Sequence, residues 1–368
     1  TKNFYYSTTT GTSSDDVNFR FTRAFGSTTR RPQGGPPGGG MGGGRGGGGR
    51  GGSNFSLGVQ YRRSESESRN AFPTITGTSR QTGWNVPASV SFPLFGLMHS
   101  VSVSFNRNAT RTTNAFAYTE DVAGDAGIRG VSTDPFAWGV PTLSFTSVSG
   151  LRDVSPSEQT NRTIGVDDSV MKMIGRHTLR IGGSFRHTAL DNRSDANARG
   201  SFVFTGLYTG GGTRVGSFDF ADFLLGLPQQ ASIQYGPGLV RFRAHSLAFY
   251  VQDDWRVRNT LTINAGLRYE YQSPYSEVDG RLVNLDVPAD FTAAVPVLAG
   301  ASGAFTGVFP TTLVNPDRNN LSPRIGVAWR ARQKMVVRGG YGINYASVPY
   351  MSMATNLSSQ PPFAVTAT

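Results

Sequence analysis

Four histidines are the first residues to weigh for chemistry. His99, His177, His187 and His245 are scattered and show no metal-ligand spacing. His177 belongs to a short IGRH turn and reads as a solvated polar residue. Asp253 and Asp254 invite a paired-carboxylate reading, with one proton shared between two acids. The residues around them alternate apolar and polar, which sends the two carboxylates to opposite faces and rules out a shared proton. Asp121, Asp125 and Asp134 could offer oxygen ligands to calcium, but they lack the dense spacing of a calcium loop, and Asx turns account for them more simply. No G-x-S-x-G, H-E-x-x-H or G-x-x-x-x-G-K arrangement occurs. The absence of cysteine excludes thiolate catalysis, iron–sulfur clusters and disulfides. No catalytic, cofactor-binding or metal residue is expected, ligand-binding residues are not readable, and the chain reads as non-enzymatic.

A set of arginines is more suggestive. Arg20, Arg62, Arg180, Arg186, Arg268, Arg324 and Arg338 all fall on the polar side of alternating segments. There they could steer an anionic ligand, or pair with carboxylates such as Glu270 and Asp254. Arginine as a residue type carries almost all of the basic charge behind a net charge of +11, since only Lys2, Lys172 and Lys334 are lysines. That balance alone leaves nucleic acid, anionic lipid and an acidic ligand open.

The elements that must position these groups are strands. Leu247, Phe249, Val251, Trp255 and Val257 point one way, with Asp253 as the single charge among them; Ala248, Tyr250, Gln252, Asp254 and Arg256 point the other. After a polar RNT turn, Leu261, Ile263, Ala265, Leu267, Tyr269 and Tyr271 repeat the pattern. Alternation on both sides of a short turn predicts a β-hairpin. Its arms exceed the roughly 5–6 residues of a usual strand and match the about 9–11 that cross a bilayer at a tilt. The same rhythm recurs at Val17–Phe25, Phe55–Tyr61, Trp84–Phe92, Val101–Phe105, Ile164–Val170, Leu179–Phe185, Phe202–Phe204, Ile325–Trp329 and Val337–Tyr345, about a dozen antiparallel strands in all. FDFADFLLGLPQ breaks the period and predicts a short apolar helix at a barrel end or the lipid interface.

Composition fits this reading. Only 37% of residues are hydrophobic, 16% are charged, and there are 47 glycines, as in a transmembrane barrel whose strands need one apolar face. No run of about 18 apolar residues predicts a membrane-spanning helix, and no signal-peptide pattern opens the sequence. The chain divides into barrel strands at 1–29, a Gly/Arg-rich flexible loop at 30–52, and barrel strands at 53–368. Long irregular stretches near 110–160 and 276–320 contrast with short turns near 93–99, 174–177, 257–260 and 330–333, so the long stretches are expected to be extracellular. The glycine-rich stretch also resembles an RGG-type RNA-binding segment, but it lacks aromatic residues for base stacking, and no nucleic-acid partner is expected.

FADFLLGLPQ, YVQDDWRV, LTINAGLRYEYQSP and NNLSPRIGVAWR, with NARGSFVFTGLYTG and VSTDPFAWGVPTLSFT, resemble the barrel of TonB-dependent outer-membrane receptors, specifically the Oar-like barrel. The resemblance runs over essentially the whole chain. It implies an all-β, antiparallel transmembrane β-barrel of about 22 strands, of which this chain holds part. It also implies a plug that fills the barrel, uptake of a scarce ligand powered through TonB, and residence in the outer membrane among its lipids. The plug and the C-terminal strands are expected to lie outside this sequence. Two alternatives remain open, a passive porin or surface adhesin barrel and, more remotely, the RNA-binding protein.

Overall fold

The computed structural model describes residues 7–25, 52–194, 197–211, 218–236, 238–345 and 349–368. Ten long strands form one sheet: β1 (Thr12–Phe25), β2 (Ser53–Arg69), β3 (Thr76–Leu94), β4 (Leu97–Asn114), β5 (Ser157–Ile174), β6 (His177–Ser194), β7 (Leu239–Arg258), β8 (Leu261–Gln272), β9 (Asn320–Arg332) and β10 (Met335–Gly342). Every strand pairs antiparallel with its neighbour in the chain, so the sheet is an up-and-down meander. Among the described residues it does not close: β1 and β10 each pair on one side only. It is a segment of a barrel wall.

The expected hairpin is β7–β8, with Phe249 opposite Tyr269 and Val251 opposite Leu267. Short turns join β3 to β4, β5 to β6, β7 to β8 and β9 to β10. The first contains Phe95 and Gly96, both at positive φ, the backbone state that two-residue hairpin turns require. The β1–β2 connection belongs to this same end by strand parity, because Phe25 pairs with Ser53; the glycine-rich residues 30–51 within it lie outside the described residues. At the opposite end three long connections occur, at 115–156, 195–238 and 273–319.

Two expectations need correction. Among the described residues ten long strands make up the wall, in keeping with the expected dozen or so, but Phe202–Phe204 is not one of them. Ser201–Phe204 instead pairs in parallel with Thr142–Phe145, in a separate small sheet that also holds Gln230–Tyr235 and Val365–Ala367. The run 195–238 is therefore a third long loop, and helix α1 (Phe218–Leu224) sits in it, packing Phe223 and Phe220 against Phe145. The reading at 110–160 also took in the ends of β4 and β5. Those ends are polar on both faces, so alternation is silent there; Thr112 bonds Ser79 across the strands, for example.

Register shows what each face is for. The row Phe21–Leu57–Ala88–Val103–Val166–Phe185–Leu247–Tyr271 crosses eight strands and is apolar throughout. Nearer the long loops, the row Val17–Tyr61–Trp84–Arg107–Arg162–Ala189–Arg243 is apolar on β1–β3 and, apart from Ala189, basic beyond. The upper edge of the apolar band thus slips toward the turns from β1 to β7, as it must when tilted strands cross a slab of hydrocarbon. Large apolar side chains in the band are about half exposed, with Ile181 at 53% and Ile325 at 52%, because the protein provides nothing to cover them. On either side of this wall, aromatic rings fill the gaps left by Gly182 and Gly183. Tyr250 lies over the first and Phe249 over the second, and a Cβ at 182 would stand 2.7 Å from the Tyr250 ring.

Charges interrupt the band at Asp168 and, nearer the turns in the row of Ile325, at Lys172 and Asp253. Asp168 lies in the row Val90–Val101–Asp168–Gly183–Phe249, on the apolar face and exposed. Two substitutions in the full-length protein should therefore move stability in opposite directions, read by urea unfolding from lipid vesicles. Val251→Arg should destabilise by about 2–4 kcal/mol, and Asp168→Val should stabilise by on the order of 1 kcal/mol. Equal, small effects from both would mean that this face does not meet lipid.

Candidate functional site

The other face is polar, and the sheet curls around it. A groove of about 530 Å³ is lined by Ser100 and Ser102 on β4, Arg186 on β6, Tyr250 on β7, and Arg268 and Glu270 on β8. Pairing places all seven sequence-predicted arginines on this face: Arg20 faces Gly58, Arg180 faces Gln252, Arg186 faces Ser246, Arg268 faces Tyr250, Arg324 faces Gly266, and Arg338 faces Ala328. Arg62 opposes Asp16 in the same register. Arg268 donates to Glu270 at 2.6 Å, and its guanidinium stands 6.0 Å from the centre of the Tyr250 ring. Asp254 takes a hydrogen bond from Gln252 at 3.2 Å rather than from an arginine. The groove therefore offers guanidinium groups, hydroxyls and one ion pair to a polar ligand.

Asp253 and Asp254 do point to opposite faces, opposite Ala265 and Asn264 respectively. Asp253 has a partner that the sequence reading missed. His177 opens β6, and its Nδ1 lies 2.6 Å from the Asp253 carboxylate. The imidazole also stacks on Trp255, with ring centres 5.4 Å apart and planes within 12°. Alternation puts residues 253 and 255 on one face, but nothing local in the sequence pairs either with residue 177. The turn-end placement of Asp253 stands, and His177 is an exposed polar residue that is paired as well. Asp121 and Asp134 serve as helix caps, accepting from the backbone N–H of Gly124 and Phe136. Among the described residues no group of three His, Asp or Glu side chains is arranged to hold a metal ion.

The loop end is built on buried carboxylates. Asp219 of α1 accepts from the Ser147 N–H at 2.6 Å and the Ser147 hydroxyl at 2.6 Å, stapling the third loop to the first. Asp222 accepts from the N–H and hydroxyl of Thr209, at 2.9 and 2.8 Å. Asp286 holds Phe305 and Thr306 in the same way. Below them a small core of Leu190, Val240, Phe242, Leu282, Val297 and Leu313 seats the loops on β6 and β7, with helix α2 (Tyr350–Ser358) adding Ala354. The long connections thus form a packed cap over one end of the polar groove. No short-range pattern announces it, because Asp219 and Ser147 are 72 residues apart.

A model of the outer membrane beta barrel domain family matches residues 50–368. The chain belongs to that family. The wall is accordingly that of a transmembrane barrel in the cell outer membrane, and its apolar band faces lipid. No curated protein matches the chain. Among solved structures it is similar to the outer membrane transporter YddB from Escherichia coli, with TM-score 0.48, 12% identity, and coverage of 86% of this chain and 32% of that one. It is also similar to P. aeruginosa FpvA bound to heterologous pyoverdines, with TM-score 0.42, 12% identity, and 78% and 32% coverage. A third is FpvAI in complex with pyocin S2, with TM-score 0.41, 12% identity, and 79% and 33% coverage. The chain spans about a third of the length of these structures.

Burial pushes the Asp219 carboxyl up, but the hydrogen bonds from Ser147, Phe220 and Thr146 outweigh it and hold the group below its ordinary value. A depressed carboxylate stabilises the fold above its unfolded pKa of about 3.9, and that contribution disappears as pH falls through the lower folded value. Limited proteolysis of the full-length barrel should therefore leave the cap intact from neutral pH to about 4 and open it only below that. Asp219→Ala should expose cleavage sites near residues 140–150 at neutral pH while the wall strands stay protected. An unchanged digest would remove Asp219 as the staple.

Proposed function

We propose that this barrel segment is the wall of a TonB-dependent transporter that takes up a scarce ligand across the outer membrane. The role is non-enzymatic. The observation that supports it is the pairing of an arginine-rich polar groove on one face of the wall with a packed cap of three long loops over one end. In this reading the loops at 115–156, 195–238 and 273–319 lie outside the cell and receive the ligand. The short turns face the periplasm, where TonB would act through a plug housed against the groove. Guanidinium groups and hydroxyls on the inner face would hold that plug and guide a polar ligand past it.

A passive porin would share the wall but leave it open. The two are separated by placing the full-length protein in a planar bilayer in potassium chloride and titrating it with the purified periplasmic domain of TonB. A plugged transporter is expected to show no steady conductance and to bind the TonB domain. Steady open-channel conductance without TonB binding would overturn the proposal in favour of the porin.

A further inference from the structure

Above the apolar band, the lipid-facing side of β4–β7 carries a compact basic patch that is remote from the groove. Arg107, Arg162 and Arg243 lie in one transverse row, with small, buried Ala189 standing between the last two. In the next row down, His187 opposes His245. Asp191 is the carboxylate that ties the patch together. Its Oδ2 accepts from Arg162 at 2.7 Å and its Oδ1 from Arg243 at 2.7 Å, which clamps two guanidiniums beside one acid. Among the described residues Arg107 has no carboxylate partner.

We propose that Arg107, Arg162 and Arg243 bind the phosphate of a lipid headgroup. Three guanidiniums against one carboxylate leave an excess of positive charge, and each arginine keeps N–H donors beyond those it uses within the patch. The fork of a guanidinium matches the oxygens of a phosphate, and two arginines fixed by Asp191 are pre-organised to offer it. Location selects a lipid as the source. Phe105 and Ile164 lie directly below Arg107 and Arg162 on the same face, and Phe185 lies below His187; Ile164 and Phe185 are exposed. A molecule bound at the patch would lay acyl chains on those side chains while its phosphate met the arginines. Neighbouring charges do not serve this purpose. Arg111 and Arg193, farther up, share Glu158, and Arg241 is paired with Asp279. The inference requires only a barrel in lipid and is independent of how transport is powered.

The test uses the full-length protein in nanodiscs of phosphatidylcholine doped with phosphatidic acid, with lipid retention counted by native mass spectrometry. The Arg107→Gln/Arg162→Gln/Arg243→Gln variant should retain phosphatidic acid about tenfold less than wild type, as expected on losing charge-assisted hydrogen bonds. Arg107→Gln alone breaks no ion pair among the described residues and serves if the triple variant folds poorly; it should lower retention part-way, with Arg107→Lys restoring some of it. Arg111→Gln should change nothing. Equal retention by wild type and the Arg107→Gln variant would overturn the proposal. So would displacement of phosphatidic acid by millimolar inorganic phosphate, which would mark a site for free anions rather than for lipid.

Discussion

A backbone that enters hydrocarbon must have every N–H and C=O paired, because no water is available to accept or donate. The rest of this structure follows from that constraint. It requires long strands in unbroken register, and β3–β4, β4–β5 and β5–β6 keep theirs without a shift from end to end. It also explains where irregularity is allowed: the register shifts of β7–β8 and β9–β10 fall at Arg256/Arg258 and Arg330/Arg332, beside the turns. Once register is fixed, side-chain alternation sorts the chain into a lipid face and a groove face with no freedom for exceptions. Asp168 is on the lipid face for that reason, since moving it alone would require a bulge.

The ends of the strands answer to water instead, and their chemistry changes accordingly. Ion pairs gather on the outer face above the apolar band, among them Arg63–Glu65, Arg111–Glu158 and Arg162–Asp191. Exposed pairs of this kind contribute little to stability individually. The packed cap differs: its carboxylates are buried and matched to hydroxyl and backbone donors, so each staples two segments that the sheet itself does not join. Strand pairing supplies the wall, and buried hydrogen bonds give the loops a shape.

The wall was legible in the sequence because a period of two is a one-dimensional signal. Leu247 to Tyr271 announces a hairpin without knowledge of any neighbour, and the seven arginines follow onto the groove face by parity alone. What was illegible depended on pairs distant in the chain. His177 meets Asp253 only because β6 and β7 are adjacent across a long loop. Asp219 finds Ser147 through two loops folded together, and Phe202–Phe204 looks like a wall strand although its partner is Thr142–Phe145. Asp168 shows a different failure: Ile164, Val166 and Val170 satisfy the pattern well enough to hide the charge between them.

The central claim is that one face of β7 meets lipid and the other meets water. The chain has no cysteine, so single cysteines introduced at successive positions from 247 to 252 in the full-length protein would be unique labels. A fluorophore at each, read in membranes with a lipid-borne nitroxide and then with a water-soluble quencher, measures the surroundings residue by residue. The account predicts strict alternation, with lipid quenching at 247, 249 and 251 and aqueous quenching at 248, 250 and 252. Quenching by the aqueous reagent at all six positions would contradict it.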